Sequence, residues 1–333
     1  MKLSNILQMP SNKIKKIKIA FVGNGYMARQ HLKILKNFSD VNIIGYLGSG
    51  KKPYDKVEGF GMKFDTLQQL INSGPDLVCL CTPPCARFEY ERELIKENVN
   101  YFVEKPPVIN KQGDLIKILV RKRNKLNIIV GFQWRYFSFN NLLKENIKND
   151  QVRFIYAERL LSTPFNEWKM SKEKSGGIMH EFLIHVIDYC RYLFDAQAEF
   201  IGYFANKPIA GKRNDNNYDL NDSEVLVFKV KNILCNIFGT NYSFNNNFFK
   251  LTLVGQKNIY RISFEKNGDT RFEIINNNKI KKTLIEKYDA PYIKESIFLI
   301  NQIKSASKKN DKYIDSLLMS ERIIKAIKKG KLF

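Results

Sequence analysis

Residues 17–28 read IKIAFVGNGYMA and decide the fold of the N-terminal part of the chain. The apolar run IKIAFV predicts a buried strand, and the residues after the glycine turn predict the start of a helix. Gly23 permits the tight turn, Gly25 lets the main chain come close to a pyrophosphate, and Ala28 allows close packing of the helix on the strand. The unpaired N–H groups and the dipole at this helix end favour a bound anion. We therefore predict a dinucleotide site at Gly23, Asn24, Gly25, Tyr26, Met27 and Ala28.

Apolar strand-like segments and amphipathic helix-like segments alternate from this motif to about residue 134. The further predicted strands are VNIIGYL, GMKFD, DLVCLCT, NYFVEKP and NIIVGFQW. Strands that are apolar along their length and separated by helices indicate a parallel sheet with both faces covered. We predict a doubly wound Rossmann-type α/β domain over residues 16–134, preceded by a polar extension over residues 1–15.

Beyond residue 134 the pattern changes to consecutive strands with few helices between them. NNLLKENIK and GGIMHEFLIHVIDYCRYLF are predicted helices, and the predicted strands are VRFIYAERLL, AEFIGYFA, SEVLVFKVK, LCNIFGTNY, FKLTLVG, NIYRISFEK and RFEIINN. Consecutive strands joined by short turns indicate a large, mostly antiparallel sheet with one open face. Two amphipathic helices are predicted between about Pro291 and Lys329. Residues 135–333 are therefore predicted to form an α+β domain for substrate binding and oligomer contacts.

The composition is typical of a globular protein with two domains. The chain has 333 residues, of which 44% are hydrophobic, and this is enough for a large buried core. No apolar run is long enough to span a bilayer, and the N-terminus lacks the apolar region of a signal peptide. We expect a cytoplasmic protein with no membrane partner.

The five cysteines do not form a metal-binding pattern. Cys79, Cys81 and Cys85 are close together in one predicted strand and the turn after it. Zinc ligands at this spacing need a second pair elsewhere in the chain, whereas Cys190 and Cys235 stand alone. Buried reduced thiols account for the pattern, and no metal is predicted.

The chain is strongly basic, with a formal net charge of +22. Lysines are spread over the whole sequence and no zinc-finger or heptad pattern accompanies them. This distribution favours a solvated lysine-rich surface over a nucleic-acid-binding face, so we predict no nucleic-acid partner. A positive field would still attract anionic ligands such as a dinucleotide or a nucleotide-sugar.

The end of the second predicted strand bears on the choice of cofactor. An NAD site usually has an acidic residue there to bind the ribose hydroxyls, but this chain reads GSGKK at residues 48–52. Ser49 and Lys51 could bind a 2′-phosphate, which favours NADP; the alternative is an enzyme that takes either cofactor. The overlapping GYLGSGKK is nearly a phosphate-binding NTPase loop, but Lys52 stands where Ser or Thr is required. We reject that interpretation.

Four further motifs resemble a known enzyme family. MARQHLKIL follows the glycines, TPP follows the fourth strand, EKPP follows the fifth, and GG precedes a Glu-x-x-x-His pair. In this order, and over essentially the whole chain, they resemble the glucose–fructose oxidoreductase, inositol dehydrogenase and MocA (Gfo/Idh/MocA) family. The resemblance implies a dinucleotide-binding domain and an α+β domain whose open sheet supports catalysis and a homodimer or homotetramer. It also implies a sugar, polyol or nucleotide-sugar substrate.

The EKP motif at residues 104–106 places a lysine at the carboxyl end of a predicted parallel strand. Side chains at this point face the ligand crevice of such sheets. The Lys105 ammonium can hold a substrate hydroxyl and stabilise the alkoxide that develops during hydride transfer. Glu104 is expected to position this lysine, and both residues are expected to lie beside the cofactor. A surface ion pair is the alternative interpretation of Lys105.

In GGIMHEFLIHVIDY, Glu181, His185 and Asp188 fall on one stripe of the predicted helix. His185 is the candidate general acid or base, since an unperturbed imidazole has a pKa near neutrality; a buried structural histidine is the alternative. The family has aspartate where this chain has Glu181. Glu181 therefore orients His185, contacts substrate, or does both. His180 and His31 are interpreted as structural.

Residues near these motifs are candidates for cofactor or substrate contact. Thr82 and Pro83 are expected on the nicotinamide side of the site. The family commonly has asparagine and then histidine after them, whereas this chain has proline and then Arg87, which either holds a phosphate or faces solvent. Trp134 and Arg135 end the sixth strand at the domain junction, which suits substrate contact, and a core position is equally open for Trp134.

These features predict reversible hydride transfer between NADP, or NAD, and a secondary hydroxyl or ketone of a sugar, with a nucleotide-linked sugar or polyol as substrate. Lys105 and His185 would handle the oxygen charge and the proton. Two alternatives stay open. One is the hydrolysis of glycosides through a transient oxidation, which some family members perform. The other is a non-catalytic cofactor-binding regulator, which the presence of both side chains disfavours.

Overall fold

The computed structural model describes residues 16–48, 58–122, 125–160, 168–206, 219–241, 247–305 and 310–332. The predicted extension over residues 1–15 lies outside them. Two β-sheets organise the described residues. No helix in this part of the chain combines the length and the apolarity needed to cross a membrane.

The first sheet is parallel and comes from the N-terminal part of the chain. Its elements are β1 Ile17–Val22, α1 Tyr26–Leu35, β2 Val41–Leu47, β3 Met62–Phe64, α2 Leu67–Asn72, β4 Leu77–Leu80, α3 Arg87–Lys96, β5 Tyr101–Val103, α4 Gln112–Arg121 and β6 Ile128–Val130. The described strands lie in the order β3-β2-β1-β4-β5-β6. This order confirms the predicted doubly wound sheet. Strands β2 and β3 are added on one side of β1, and β4 to β6 are added on the other. At this change of direction, between β1 and β4, the carboxyl ends of the strands form a crevice for a ligand.

Both faces of the parallel sheet are covered, because successive side chains of each strand point to opposite sides. Ile19 and Phe21 of β1 pack with helix α1 on one face of the sheet. Ala20 and Val22 pack with helices α3 and α4 on the other face. All four side chains are almost completely buried. This explains why the strand is apolar except for Lys18, which is exposed near its start.

The second sheet comes from the C-terminal part of the chain and is mostly antiparallel. The elements of this part are α5 Asn140–Lys148, β7 Phe154–Leu160, α6 Lys172–Ser175, α7 Gly177–Glu181, α8 Ile184–Phe194, β8 Ala198–Asn206, β9 Ser223–Val230, β10 Ile233–Thr240, β11 Phe248–Val254, β12 Ile259–Phe264, β13 Thr270–Asn276, β14 Lys279–Glu286, α9 Ala290–Lys304, α10 Asp311–Lys329 and β15 Lys331–Leu332. Its described strands lie in the order β14-β13-β12-β11-β7-β10-β9-β8-β15. Only β7 with β10 and β8 with β15 pair in parallel among them. The predicted α+β class is therefore confirmed.

The prediction of one continuous helix over GGIMHEFLIHVIDYCRYLF is wrong. Helix α7 ends at Glu181 and α8 begins at Ile184. The Ile178 carbonyl accepts hydrogen bonds from the N–H groups of both Phe182 and Leu183, at 3.0 and 3.2 Å, so the regular spacing of the helix is lost there. Glu181 and His185 therefore lie on either side of a break in the helix.

The two C-terminal helices return to the parallel sheet. Leu299 and Ile300 of α9 pack in the core that contains β1 and α1. Tyr313 and Leu317 of α10 pack in the core on the opposite face of that sheet, and Ile323, farther along α10, packs in the core of the second sheet. The domain boundary at residue 134 stays a prediction, and both helices connect the two parts of the molecule.

Candidate active site

The turn after β1 has the geometry that a dinucleotide requires. Gly23 has a φ of +97°, and a Cβ there would lie 3.0 Å from the carbonyl oxygen of Cys81. No described atom lies within 4 Å of the position that a Cβ on Gly25 would occupy. Helix α1 begins without a side-chain cap and without an acidic residue in its first turn. Its N–H groups and dipole are thus suited to a pyrophosphate.

The other residues of this turn lie in different surroundings. The Asn24 side chain packs against Gly48, where a Cβ would lie 3.0 Å from it. Tyr26 is exposed, whereas Ala28, on the side of α1 that faces the sheet, is fully buried. Met27 lines the cleft described below. The turn therefore offers main chain to a ligand on one side and packs on the sheet on the other.

The predicted selectivity residues Ser49 and Lys51 lie outside the described residues. The described strand before them, β2, ends at Leu47, and its carbonyl oxygen accepts a hydrogen bond from the Gly23 N–H at 2.8 Å. Since β1 and β2 are parallel neighbours, the end of β2 lies at the same sheet edge as the glycine turn. This is where a Rossmann fold binds the adenine ribose.

Glu104 connects helix α1 to the main chain of Lys105. Its Oε1 lies 2.7 Å from Nε2 of His31, and its Oε2 accepts a hydrogen bond from the Lys105 N–H at 3.1 Å. Glu104 and His31 are both buried. The carboxylate thus holds the backbone from which the lysine side chain extends, and His31 packs against the sheet as predicted.

Both alternatives considered for Arg87 are wrong. The guanidinium neither faces solvent nor stands open to a ligand, because Arg87 is only 2% exposed. Its Nε donates to the Thr82 carbonyl oxygen at 2.8 Å, and its Nη1 donates to the carbonyl oxygens of Glu104 and Pro106. Arg87 therefore ties the loop after β4 to the loop after β5. The hydroxyl of Thr82 is buried and has no hydrogen-bond partner among the described residues.

An ion cluster connects Lys105 to the helix break. The Lys105 ammonium donates to the carbonyl oxygen of Glu181 at 2.7 Å and to its Oε1 at 3.1 Å. Lys169 lies 3.0 Å from the same carboxylate oxygen. Burial opposes ionisation of Glu181, but the two lysine charges outweigh it and hold the pKa of this carboxyl far below its usual range. Burial lowers the pKa of Lys105, and Glu181 opposes that shift.

His185 lies on the other side of the helix break and faces the same cleft. Its ring stacks on Trp134 with centroids 5.2 Å apart and planes 16° apart, and its Nδ1 is buried with no hydrogen-bond partner among the described residues. Burial, and then the Lys105 charge, lower the pKa of His185 well below its usual value. The expectation of an unperturbed pKa is therefore wrong, and the ring is neutral at neutral pH. Among the described residues Glu181 binds lysines and makes no hydrogen bond to His185.

Two residues of these motifs have structural contacts away from the cleft. Arg135 forms a two-point ion pair with Asp188, in which its Nε lies 2.8 Å from Oδ2, and neither lines the cleft. His180 is fully buried between Ser320 Oγ and the Ser175 carbonyl oxygen, at 2.6 and 3.2 Å. Burial lowers the pKa of His180 to about 4, so it is a neutral structural histidine.

The cleft has a volume of about 600 Å³ and joins the two sheets. Its charged and aromatic lining comprises Lys105, Trp134, Phe137, Arg159, Lys169, Glu181, Phe182, His185, Phe264, Tyr288 and Tyr292. Arg159 and Lys169 were not among the site residues predicted from the sequence. Ile155, Ala157 and Arg159 alternate along β7, so an arginine on the buried side of a strand was a usable signal. No local pattern pointed to Lys169.

The fold and the glycine turn are those of a dinucleotide-binding protein, and the comparisons identify its family. The family model described as "Oxidoreductase family, NAD-binding Rossmann fold" matches residues 17–132. Its partner, "Oxidoreductase family, C-terminal alpha/beta domain", matches residues 144–322. The chain belongs to the Gfo/Idh/MocA family of NAD(P)-binding oxidoreductases, which confirms the resemblance.

Known relatives are distant in sequence. Glucose-6-phosphate 3-dehydrogenase of Bacillus subtilis (strain 168) is 26% identical over 222 residues, which are 63% of this chain and 61% of that protein. The match thus spans less than two thirds of that relative's length.

Solved structures share the fold over almost the whole chain. GenD2 from gentamicin A biosynthesis, in complex with NAD, gives a TM-score of 0.75 at 14% identity and covers 98% of each chain. KijD10, a 3-ketoreductase from Actinomadura kijaniata in complex with NADP and TDP-benzene, gives a TM-score of 0.80 at 10% identity. It covers 96% of this chain and 99% of that chain. At these identities the likeness concerns the fold alone.

Proposed function

We propose that the protein transfers hydride between NADP(H) and a secondary hydroxyl or ketone of a sugar, with a nucleotide-linked sugar or polyol as the substrate class. One observation carries this proposal: Lys105, fixed by Glu181, and the neutral His185 line the same cleft. A lysine that polarises an oxygen and an imidazole that takes its proton are the two groups that the reaction needs. The sugar dehydrogenase and 3-ketoreductase names of similar proteins support a carbohydrate substrate.

In the direction of oxidation, His185 accepts the hydroxyl proton and Lys105 stabilises the negative charge that grows on the substrate oxygen. A bound nicotinamide would supply the acceptor for the hydride of the carbon that carries this oxygen. Glu181 holds the ammonium in place, and Trp134 keeps the imidazole ring oriented by stacking on it. Thr82, Pro83 and the glycine turn are proposed to hold the cofactor. In the reverse direction the same groups return the proton to the oxygen.

The preference for NADP over NAD rests on residues 48–52 and on the lack of an acidic residue there. Charge-assisted hydrogen bonds from Ser49 and Lys51 to the 2′-phosphate are expected to give NADPH the tighter binding, by about 1–3 kcal/mol. Titration of the purified protein with NADPH and NADH measures this difference. Ser49→Asp combined with Lys51→Ala should reverse it. Equal affinities, or tighter binding of NADH, would overturn the assignment.

A cytoplasmic homodimer or homotetramer is part of the proposal. Helices α7 and α8 cover one face of the second sheet, whereas apolar side chains such as Leu234 and Phe248 are 44% and 36% exposed. A second copy of the chain packing on this open face would remove them from water. Light scattering on the purified protein should give the mass of two or four chains, and Leu234→Glu should lower it.

The decisive experiment incubates the protein with NADP⁺ or NADPH and a panel of sugars, polyols and nucleotide-sugars. Hydride transfer is followed by the near-ultraviolet absorbance of the reduced nicotinamide. Turnover of a panel member with loss of turnover in Lys105→Met and His185→Asn supports the assignment. Cleavage of a glycoside without net change in the cofactor would instead indicate the glycosidase reaction. Tight NADPH binding with no turnover of any panel member would indicate a regulator.

A further inference from the structure

We propose that the substrate carries an anionic group, a phosphate or a carboxylate, and that Arg159 binds this group on the sheet side of the cleft. The inference rests on the proposed function, because it names the class of sugar derivative that the site takes. It concerns a part of the cleft formed by the second sheet, away from the glycine turn that serves the cofactor pyrophosphate.

The register of the sheet explains how an arginine reaches this position. Arg159 lies near the end of β7, opposite Gly239 of β10 and Phe249 of β11. A Cβ on Gly239 would lie 2.8 Å from Leu183, so the helix break packs directly on the glycine beside Arg159. The Arg159 guanidinium carbon lies 4.3 Å from the centroid of the Phe182 ring, and the side chain lines the cleft.

The charge of Arg159 is not paired within the described part of the chain. Its Nε is buried and has no hydrogen-bond partner in the described ranges of the chain. Glu181 is the one carboxylate among the described residues that line the cleft, and it is shared by Lys105 and Lys169. Three cations therefore face one carboxylate, while His185 is neutral. An unpaired charge out of water is unfavourable, and an anionic ligand would supply the missing partner.

The chemistry of the guanidinium favours a phosphate or carboxylate over a neutral hydroxyl. Burial lowers the pKa of Arg159 to about 10, so the side chain still carries its charge at neutral pH. Its planar fork can form two parallel hydrogen bonds to one anionic group, and such bonds are about twice as strong as neutral ones. The Phe182 ring limits the motion of the fork.

Calorimetric titration in the presence of saturating NADPH tests the proposal without requiring turnover. The ligands are a neutral hexose, the hexose phosphate, the corresponding hexuronate and a nucleotide-diphosphate sugar. We expect at least one anionic ligand to bind about 10- to 100-fold more tightly than the neutral hexose. The phosphate, carboxylate and diphosphate arms distinguish the source of the anion.

Three variants assign the effect to Arg159. Arg159→Met should lose the preference for the anionic ligand and keep NADPH affinity. Arg159→Lys, which keeps the charge without the fork, should retain an intermediate preference. Arg153→Met is the matched control, because Arg153 directly precedes β7 and its side chain is exposed. This variant should behave like the parent protein.

Several outcomes would overturn the anion site. One is equal binding of neutral and anionic sugars by the parent protein, a result that needs no variant to fold. Another is an unchanged preference in Arg159→Met, whose side chain has no charge. Failure of the proposed function is a separate result: anionic sugars would bind through Arg159, but neither NADP⁺ nor NADPH would exchange hydride with them.

Discussion

At the scale of single residues, the Lys105 ammonium is held by two oxygen atoms of Glu181 in the cleft. Lys105→Met keeps most of the aliphatic stem and removes the charge proposed to stabilise the substrate oxygen. We expect turnover to fall by about 100- to 1,000-fold, as when one stabilising donor is removed from an oxyanion site. NADPH affinity, followed by fluorescence titration, should not change. Lys111→Met is the control, since Lys111 is an exposed lysine shortly after the same motif; parent-level turnover in Lys105→Met would exclude the role.

The pH dependence of turnover should follow the neutral form of His185. Since burial and the Lys105 charge hold the pKa of His185 well below 6.5, oxidation should stay level through neutrality. It should decline only when the pH falls through that lowered value. Deprotonation of Lys105, whose pKa is below 10.5, should reduce turnover on the alkaline side. Profiles of the parent protein and His185→Asn measure this, and an acid limb that persists unchanged in the variant would move proton transfer to another group.

At the scale of elements, local patterns predicted the strands, the glycine turn and the class of both sheets. The break between α7 and α8 could not be predicted, because it depends on one carbonyl group that accepts two hydrogen bonds and on the packing of Leu183 against Gly239. Contacts such as that between His31 and Glu104 join residues 73 positions apart. Such contacts depend on the order of the strands in the folded sheet, and local patterns in a single sequence do not show which side chains that order brings together. The position of Lys105 at the carboxyl end of a strand was predictable, whereas its hydrogen bonds to Glu181 were not.

The short helix α7 is joined to α10 by His180, and this contact should make stability depend on pH. His180 is neutral in the folded protein, where its pKa is about 4, against 6.5 in an unfolded chain. The part of the folding stability that depends on a neutral His180 is thus fully present above pH 6.5 and is lost as the pH falls toward 4. The shift corresponds to about 3 kcal/mol of unfolding free energy. Urea unfolding at several pH values should show a shallower acid-side loss in His180→Gln; identical slopes would assign the pH dependence to other groups.

At the scale of the whole molecule, helices α9 and α10 both pack on the parallel sheet, although they were predicted to belong to the C-terminal domain. Helix α10 also packs in the core of the second sheet. Amphipathic periodicity predicted that these helices exist, but it does not say which surface their apolar faces cover. Leu317 packs with the parallel sheet, and Ile323, less than two turns farther along α10, packs with the second sheet. Helix α10 therefore links the cofactor-binding part to the part that carries His185 and Arg159. The buried side chains of α10, from Tyr313 to Ile323, thus contact the cores of both sheets, although the two ends of the helix are exposed.

Because α10 packs in both cores, a substitution that destabilises one core should also destabilise the other. Leu317→Ala removes a fully buried side chain from the core of the parallel sheet and should cost about 2–5 kcal/mol of unfolding free energy. NADPH binding reports on that sheet. In a Trp168→Phe background, which leaves one tryptophan, the fluorescence of Trp134, which packs in the core of the second sheet, reports on the other. Both signals should shift to lower urea concentration together, whereas Lys312→Ala, on the exposed side of α10, should shift neither. A Leu317→Ala variant that loses NADPH binding early but keeps the parent tryptophan transition would show that the two parts unfold independently.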